Sequence, residues 1–221
     1  RQNRTIAPDK PVHDAQVLSE GEPVTHVRVL CKGWAVRSQR IDDDRRQILD
    51  FTLPGDVIGL HVDGMGRSIC DVTAVTACEL GEFDWGALQK VAQSNAAVAK
   101  GLNHQMARQI AQGHDQVLRL GRMTAYERVC SLLMDLYDRQ RPMAHECGRV
   151  DFPITQTVVA DMLGLSVVHV NRQVMRLRRE GLVTLNRKQL VIHDEARLAS
   201  VARFRDRAFA NSASLAILAA E

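Results

Sequence analysis

The stretch Ile154-Thr155-Gln156-Thr157-Val158-Val159-Ala160-Asp161-Met162-Leu163-Gly164-Leu165-Ser166-Val167-Val168-His169-Val170-Asn171-Arg172, continuing to Ile192, decides how this chain is read. Thr155 is placed to cap a helix whose apolar residues Val158, Val159, Ala160, Met162 and Leu163 follow a helical period, and Gly164 supplies the left-handed exit that ends it. Two residues later Ser166 is a second N-cap, opening a helix expected to last to Glu180 and to stop at Gly181. At about 100° per residue, Val170, Val174 and Leu177 share one side of that helix while Val168, His169, Arg172, Arg176 and Arg179 share the other. The first side packs and the second is offered to a partner.

Beyond the helix, Leu182 to Leu185 and Gln189 to Ile192 read as short strands around the turn Asn186-Arg187-Lys188, a hairpin wing with a cationic tip. Ser166 to Lys188 holds six Arg and Lys residues against the single acid Glu180, whereas the whole chain is only +3. Such local concentration suits phosphate, because bound cations release condensed counterions. An Arg-rich solvated face is the bland alternative, and the capped turn with its following wing argues against it. Double-stranded DNA is therefore the expected partner. Val168, His169 and Arg172, in the first turns of the helix, are the candidates for base edges, with Arg suited to guanine O6 and N7. Ser166, Asn171, Arg176, Arg179, Arg187 and Lys188 are assigned to phosphates.

With 221 residues, 45% hydrophobic and 25% charged, the composition is that of an ordinary soluble chain with room for two modest domains. No apolar run approaches a membrane span, and the polar start Arg1-Gln2-Asn3-Arg4 lacks the apolar core of a secretory signal, so a cytoplasmic location without membrane contact is expected. The cysteines Cys31, Cys70, Cys78, Cys130 and Cys147 are odd in number and scattered, which favours buried reduced thiols over a disulfide framework and matches no metal spacing. No nucleophile elbow, P-loop or zincin motif is present, so an enzyme is not expected.

Between Val27 and Leu53 the pattern is strand, turn, strand, turn, strand, with Lys32-Gly33 and Asp42-Asp43-Asp44-Arg45 as turns. Pro54-Gly55-Asp56 punctuates the third strand and Val72 to Phe83 adds further apolar sequence, which predicts an antiparallel barrel or jelly roll. From Asp84 to Leu120 the period becomes helical. Met106, Ile110, Gly113, Val117 and Leu120 are spaced as a coiled-coil seam, pointing to a homodimer; packing of the same seam against the barrel is the alternative. Thr124-Ala125-Tyr126-Glu127 is a capping box that opens a further helix, and Arg139 to Asp151 reads as a polar connection. The domains expected are 1–84, a barrel; 85–120, a dimerisation helix; 121–124, a hinge; and 125–221, the DNA reader, whose tail from Phe204 to Glu221 is expected to pack as a terminal helix.

In this order the parts resemble the Crp/Fnr family of bacterial transcription regulators, from about Val24 to Arg197. The carriers are Cys31-Lys32-Gly33, Leu53-Pro54-Gly55-Asp56-Val57-Ile58-Gly59, Gln105-Met106-Ala107-Arg108, and Ile154-Thr155 through Val170-Asn171-Arg172. The resemblance implies an α+β chain with an N-terminal antiparallel, jelly-roll-like β-roll sensor, a long dimerisation helix and a C-terminal winged helix-turn-helix. It also implies a homodimer, a two-fold symmetric DNA site and RNA polymerase as a further partner.

The same resemblance places a possible effector pocket at Gly59, Leu60, Arg67, Ser68, Gly113 and His114. In cAMP-binding members a Glu holds the ribose, an Arg-Ser pair the cyclic phosphate and a Thr-Ser pair the base. Here Arg67-Ser68 is kept, but Leu60 stands at the Glu position and Gly113-His114 at the Thr-Ser position. Each missing polar partner costs about 1 to 3 kcal/mol, so cAMP is expected to bind weakly or not at all. Oxygen-sensing members use closely spaced N-terminal cysteines, and none precedes Cys31 in this sequence, which argues against an iron–sulfur cluster. His61, His104 and His114 are available to a haem but read more simply as surface or core residues, and Cys31, Cys70 and Cys78 more simply as inert thiols than as a redox switch. The cofactor is left open. Many relatives carry Glu where this chain has Val168, so their base preference does not transfer.

Overall fold

A computed structural model describes residues 2–6, 15–42, 45–143, 147–186 and 188–204. The described residues form two compact units, one up to His114 and one from Asp115 onward. Arg187 and residues 205–221, which include nearly all of the expected terminal helix, lie outside the described residues.

The first unit runs β1 (Gln2–Ile6), β2 (Ala15–Leu18), β3 (His26–Lys32), β4 (Ala35–Arg40), β5 (Arg46–Thr52), β6 (Val57–Ile58), β7 (Asp71–Ala74), β8 (Cys78–Asp84), α1 (Trp85–Ser94) and then α2 (Ala96–Arg122), whose last residues belong to the second unit. Its strands make two four-stranded antiparallel sheets, in the orders β1-β8-β3-β6 and β2-β7-β4-β5. Leu18, Leu30, Ala35, Ile58, Val72 and Leu80 meet in the core. The β3–β4 turn needs Gly33, at φ +91°, because a Cβ there would collide with the Ala77 carbonyl.

The helical period read from Asp84 to Leu120 contains two helices. Asn95 adopts an extended conformation at φ −127°, ending α1, and its side-chain oxygen accepts from Ala97 N–H at 3.0 Å to start α2. The inner face of α2 is amide-rich. Gln105 donates to the Gly55 carbonyl at 3.2 Å and Gln109 to the Val57 carbonyl at 2.8 Å, while Arg108 pairs with Asp56, whose other oxygen accepts from Leu53 N–H at 2.8 Å. The Pro54-Gly55-Asp56 turn is thus clamped by one helix face.

In the second unit follow α3 (Ala125–Gln140), β9 (Arg149–Asp151), α4 (Gln156–Leu163), α5 (Val167–Arg179), β10 (Val183–Leu185), β11 (Gln189–Ile192) and α6 (Glu195–Val201). The Thr124–Glu127 capping box forms in full, Thr155 and Ser166 cap α4 and α5, and Gly164 exits α4 at φ +60°. The wing is a three-stranded sheet, β10-β11-β9. Its third strand lies at the end of the segment read as a polar connection, a correction with a simple cause: in β9 only Val150 faces inward, too little apolar pattern to be seen. Leu132, Leu133, Leu136, Tyr137, Leu163, Leu177 and Leu182 are fully buried and form the core, each leucine contributing about 1.5 to 3 kcal/mol through burial.

Candidate nucleic-acid interface

The second unit is braced from beneath. Gln116, on the last turns of α2, donates to the Met162 carbonyl at 2.6 Å and accepts from Arg119 at 2.7 Å. Arg119 is buried, which lowers its pKa, and its Nε donates to Ser131 Oγ at 3.2 Å. Arg128 donates to the carbonyls of Leu120, Met123 and Leu163 at 2.8, 3.0 and 3.0 Å, tying the ends of α2 and α4 to α3. Sequence reading missed this brace, because most of its acceptors, the carbonyls of Leu120, Met123, Met162 and Leu163, are main-chain oxygens that carry no residue signature.

On that base α5 buries Val170, Val174 and Leu177 and exposes the opposite face. Val168 is 78% exposed, and His169, Arg172 and Arg179 are exposed beside it. Among the described residues no ion pair engages Arg172, Arg179 or Lys188, the last exposed at the wing tip. The Ser166 hydroxyl accepts from His169 N–H at 3.2 Å, so its acceptor role goes to the cap. Asn171 donates to Gln156 at 3.2 Å, linking the two helices of the turn.

Two of the arginines are held within the unit. Arg176 donates to Glu180 at 2.7 Å and its guanidinium carbon sits 3.9 Å above the Tyr126 ring. The Tyr126 hydroxyl donates to Glu180 at 2.5 Å, and this bond, then that of Arg176, holds the Glu180 carboxyl below its usual range. Burial, then Glu180, pushes the Tyr126 pKa up. Arg178 donates to the Leu185 carbonyl, fastening α5 to the wing. Arg187 lies outside the described residues.

In the first unit the residues assigned to an effector are satisfied locally. The exposed Arg67 guanidinium donates to the Gly21 carbonyl at 2.9 Å, and the buried Ser68 hydroxyl to the Cys70 carbonyl at 2.7 Å. Gly59 is required by its φ of +98° and by Val24 and His26 O, which a Cβ would approach to 3.1 and 3.2 Å; Leu60 packs partly buried against Val27, Val29 and Val57. Gly113 and His114 are exposed on α2, and among the described residues no hydrogen bond joins them to Arg67 or Ser68. A buried polar cluster lies elsewhere in the β-roll. Arg37 and Asp50 pair across β4 and β5 with an Nε–Oδ1 distance of 2.8 Å, and His61 contacts the Arg37 guanidinium. Burial, then the Arg37 charge, pushes the His61 pKa down to about 4.

Cys70, Cys78 and Cys130 are buried and free, Cys31 is half-buried, and Cys147 is exposed, unlike the buried thiol expected for it. Burial raises Cys70 and Cys78 and takes Cys130 up to about 12, which suppresses thiolate. Among the described residues no group of three or more His, Cys, Asp or Glu is placed to hold a metal, and no helix is long and apolar enough to cross a membrane.

Two family models match this chain: a cyclic nucleotide-binding domain over residues 13–95 and a Crp-like helix-turn-helix domain over residues 127–201. The transcriptional activator protein FnrL of Cereibacter sphaeroides is 30% identical over 192 residues, covering 82% of this chain and 75% of its own length. The nitrogen fixation regulation protein FixK of Bradyrhizobium diazoefficiens is 27% identical over 187 residues, covering 84% and 78%. Among solved structures, FixK2 from Bradyrhizobium japonicum superposes with a TM-score of 0.79 at 26% identity, covering 90% of this chain and 96% of that one.

Proposed function

From the premise that the chain belongs to the Crp/Fnr family of transcription regulators, with a helix-turn-helix DNA-binding domain and no enzymatic role, we propose that it acts as a cytoplasmic homodimer on a pseudo-palindromic DNA site. One observation carries the reading: the capped, solvent-facing side of α5, where Val168, His169, Arg172 and Arg179 stand with no ion pair among the described residues. In a helix-turn-helix the first turns of this helix enter the major groove, so Val168, His169 and Arg172 meet base edges while Arg179, Arg187 and Lys188 meet phosphates. Ser166 and Asn171 contribute by fixing the start of α5, with phosphate contact open to the donors they retain.

The dimer is assigned to α2. Met106, Ile110 and Val117 are 47, 57 and 72% exposed while the opposite face of the helix is buried, which fits a seam awaiting a second copy. Two readers held by such a seam call for half-sites about one helical turn apart. RNA polymerase is the expected further partner.

cAMP is not the effector in this reading. The Arg67 and Ser68 groups that would take a cyclic phosphate are already bonded to Gly21 and Cys70 carbonyls, and Leu60 offers a ribose nothing polar. A cysteine-redox or ligand-free mode of control is the second reading; suppression of thiolate at Cys70 and Cys78 favours the ligand-free form.

Footprinting on selected DNA tests the proposal. Protection of paired half-sites, with affinity falling steeply as salt rises and unchanged by saturating cAMP, is expected. Protection of a single unpaired half-site, or indifference to DNA at low salt, would overturn it.

A further inference from the structure

We propose that Val168 reads the C5-methyl group of a pyrimidine in the major groove, so that each half-site carries one methylated pyrimidine, thymine or 5-methylcytosine, detected without a hydrogen bond. The inference rests on the reading of α5 as the recognition helix.

Val168 is the most exposed large apolar side chain on α5 at 78%, in the first turn after the Ser166 cap. Of its polar neighbours, His169 lies about 100° further around the helix, and Ser166 and Asn171 are engaged within the turn. The Ser166 oxygen accepts the His169 N–H and the Asn171 amide donates to Gln156. Arg172 is one turn further on and about 40° around the helix, so both side chains face the same strip of groove.

The thymine C5-methyl, or its 5-methylcytosine counterpart, is the one alkyl group that a major-groove base edge presents beside its donors and acceptors. An acid here would accept from cytosine N4; valine instead desolvates a polar edge without compensation and gains only against a methyl. β-Branching also leaves Val168 one strongly preferred χ1 rotamer in a helix, so its two methyls are presented as a fixed knob. Arg172 can meanwhile hold guanine O6 and N7, which places the methylated pyrimidine within a step or two of that guanine.

Binding sites selected from a random duplex pool with the full chain would define the half-site, and each thymine would then be replaced singly by deoxyuridine, removing only the methyl. One thymine per half-site is expected to lose about fourfold in affinity on replacement, the worth of one buried methyl contact. Val168→Ala is expected to bind thymine and deoxyuridine duplexes alike, whereas Val167→Ala keeps the wild-type sensitivity. Cytosine at that position should weaken binding and 5-methylcytosine recover part of the loss; which of the two methylated bases binds better identifies the source of the methyl. Selected sites bound tightly with no methyl-sensitive position, or a sensitivity that survives Val168→Ala, would overturn the inference and leave the DNA-binding reading intact. Failure to enrich any sequence, or to bind DNA at low salt, would overturn both.

Discussion

Arg172, Arg176 and Arg179 lie on one face of α5, yet among the described residues only Arg176 is already engaged, by Glu180 and the Tyr126 ring. Arg172→Ala is expected to relax preference at one base pair and cost about 1 to 3 kcal/mol in specific binding, read by titrating a set of single-base variants. Lys188→Ala should instead weaken all duplexes alike and reduce the salt slope by about one, and a change in base preference would contradict its place on a phosphate. Arg176→Ala is expected to leave that slope unchanged and to lower the urea midpoint of unfolding only slightly, through loss of an exposed ion pair and its ring contact. The exposed face was legible from the helical period alone. The engagement of Arg176 was not, because Tyr126 stands 54 residues before Glu180 and only folding joins them.

Among the elements, α2 shows most plainly what a single helix can divide between its faces. Gln105, Gln109, Gln116 and Arg119 are buried on one side while Met106, Ile110 and Val117 face solvent on the other. Val117→Glu combined with Ile110→Glu is therefore expected to give a folded monomer by analytical ultracentrifugation, with DNA affinity lowered by more than a hundredfold as the second half-site is lost; a dimer that persists would place the seam elsewhere. The capped helices α3, α4 and α5 were readable within a residue or so, since Thr124, Thr155, Ser166, Gly164 and Gly181 are chemical punctuation. Strands β1, β2, β6 and β9 and helix α6 were not, because elements of two to seven residues hold too few alternations to stand above background and are stabilised by the neighbours they pair with. The break at Asn95 escaped notice for a related reason: a single extended residue interrupts a helical period hardly at all.

At the level of the whole molecule the cluster of buried Arg37 and Asp50 with half-buried His61 is expected to make stability depend on pH. His61 has a folded pKa of about 4, below its ordinary 6.5, so protonation favours the unfolded chain. The contribution is complete above pH 6.5, declines by roughly 1 kcal/mol per unit as pH falls through this window, and is lost near pH 4. Trp34 and Trp85, the only two tryptophans, both lie in the first unit, so tryptophan fluorescence during urea unfolding reports its stability. His61→Gln is expected to flatten the dependence between those limits; an unchanged profile would mean that His61 titrates normally. The antiparallel sheet architecture and the order of parts were legible from residue pattern, and the family from the resemblance of its motifs, while this cluster was not, since Arg37, Asp50 and His61 come from separate segments with no spacing that foretells their meeting. Gln105, Gln109 and Gln116 grip the carbonyl oxygens of Gly55, Val57 and Met162, atoms every amino acid possesses. Substitution at Val57 or Met162 therefore leaves the acceptor in place, and mutational drift can remodel the side chains around these bonds without unfastening the helix from the backbone it grips.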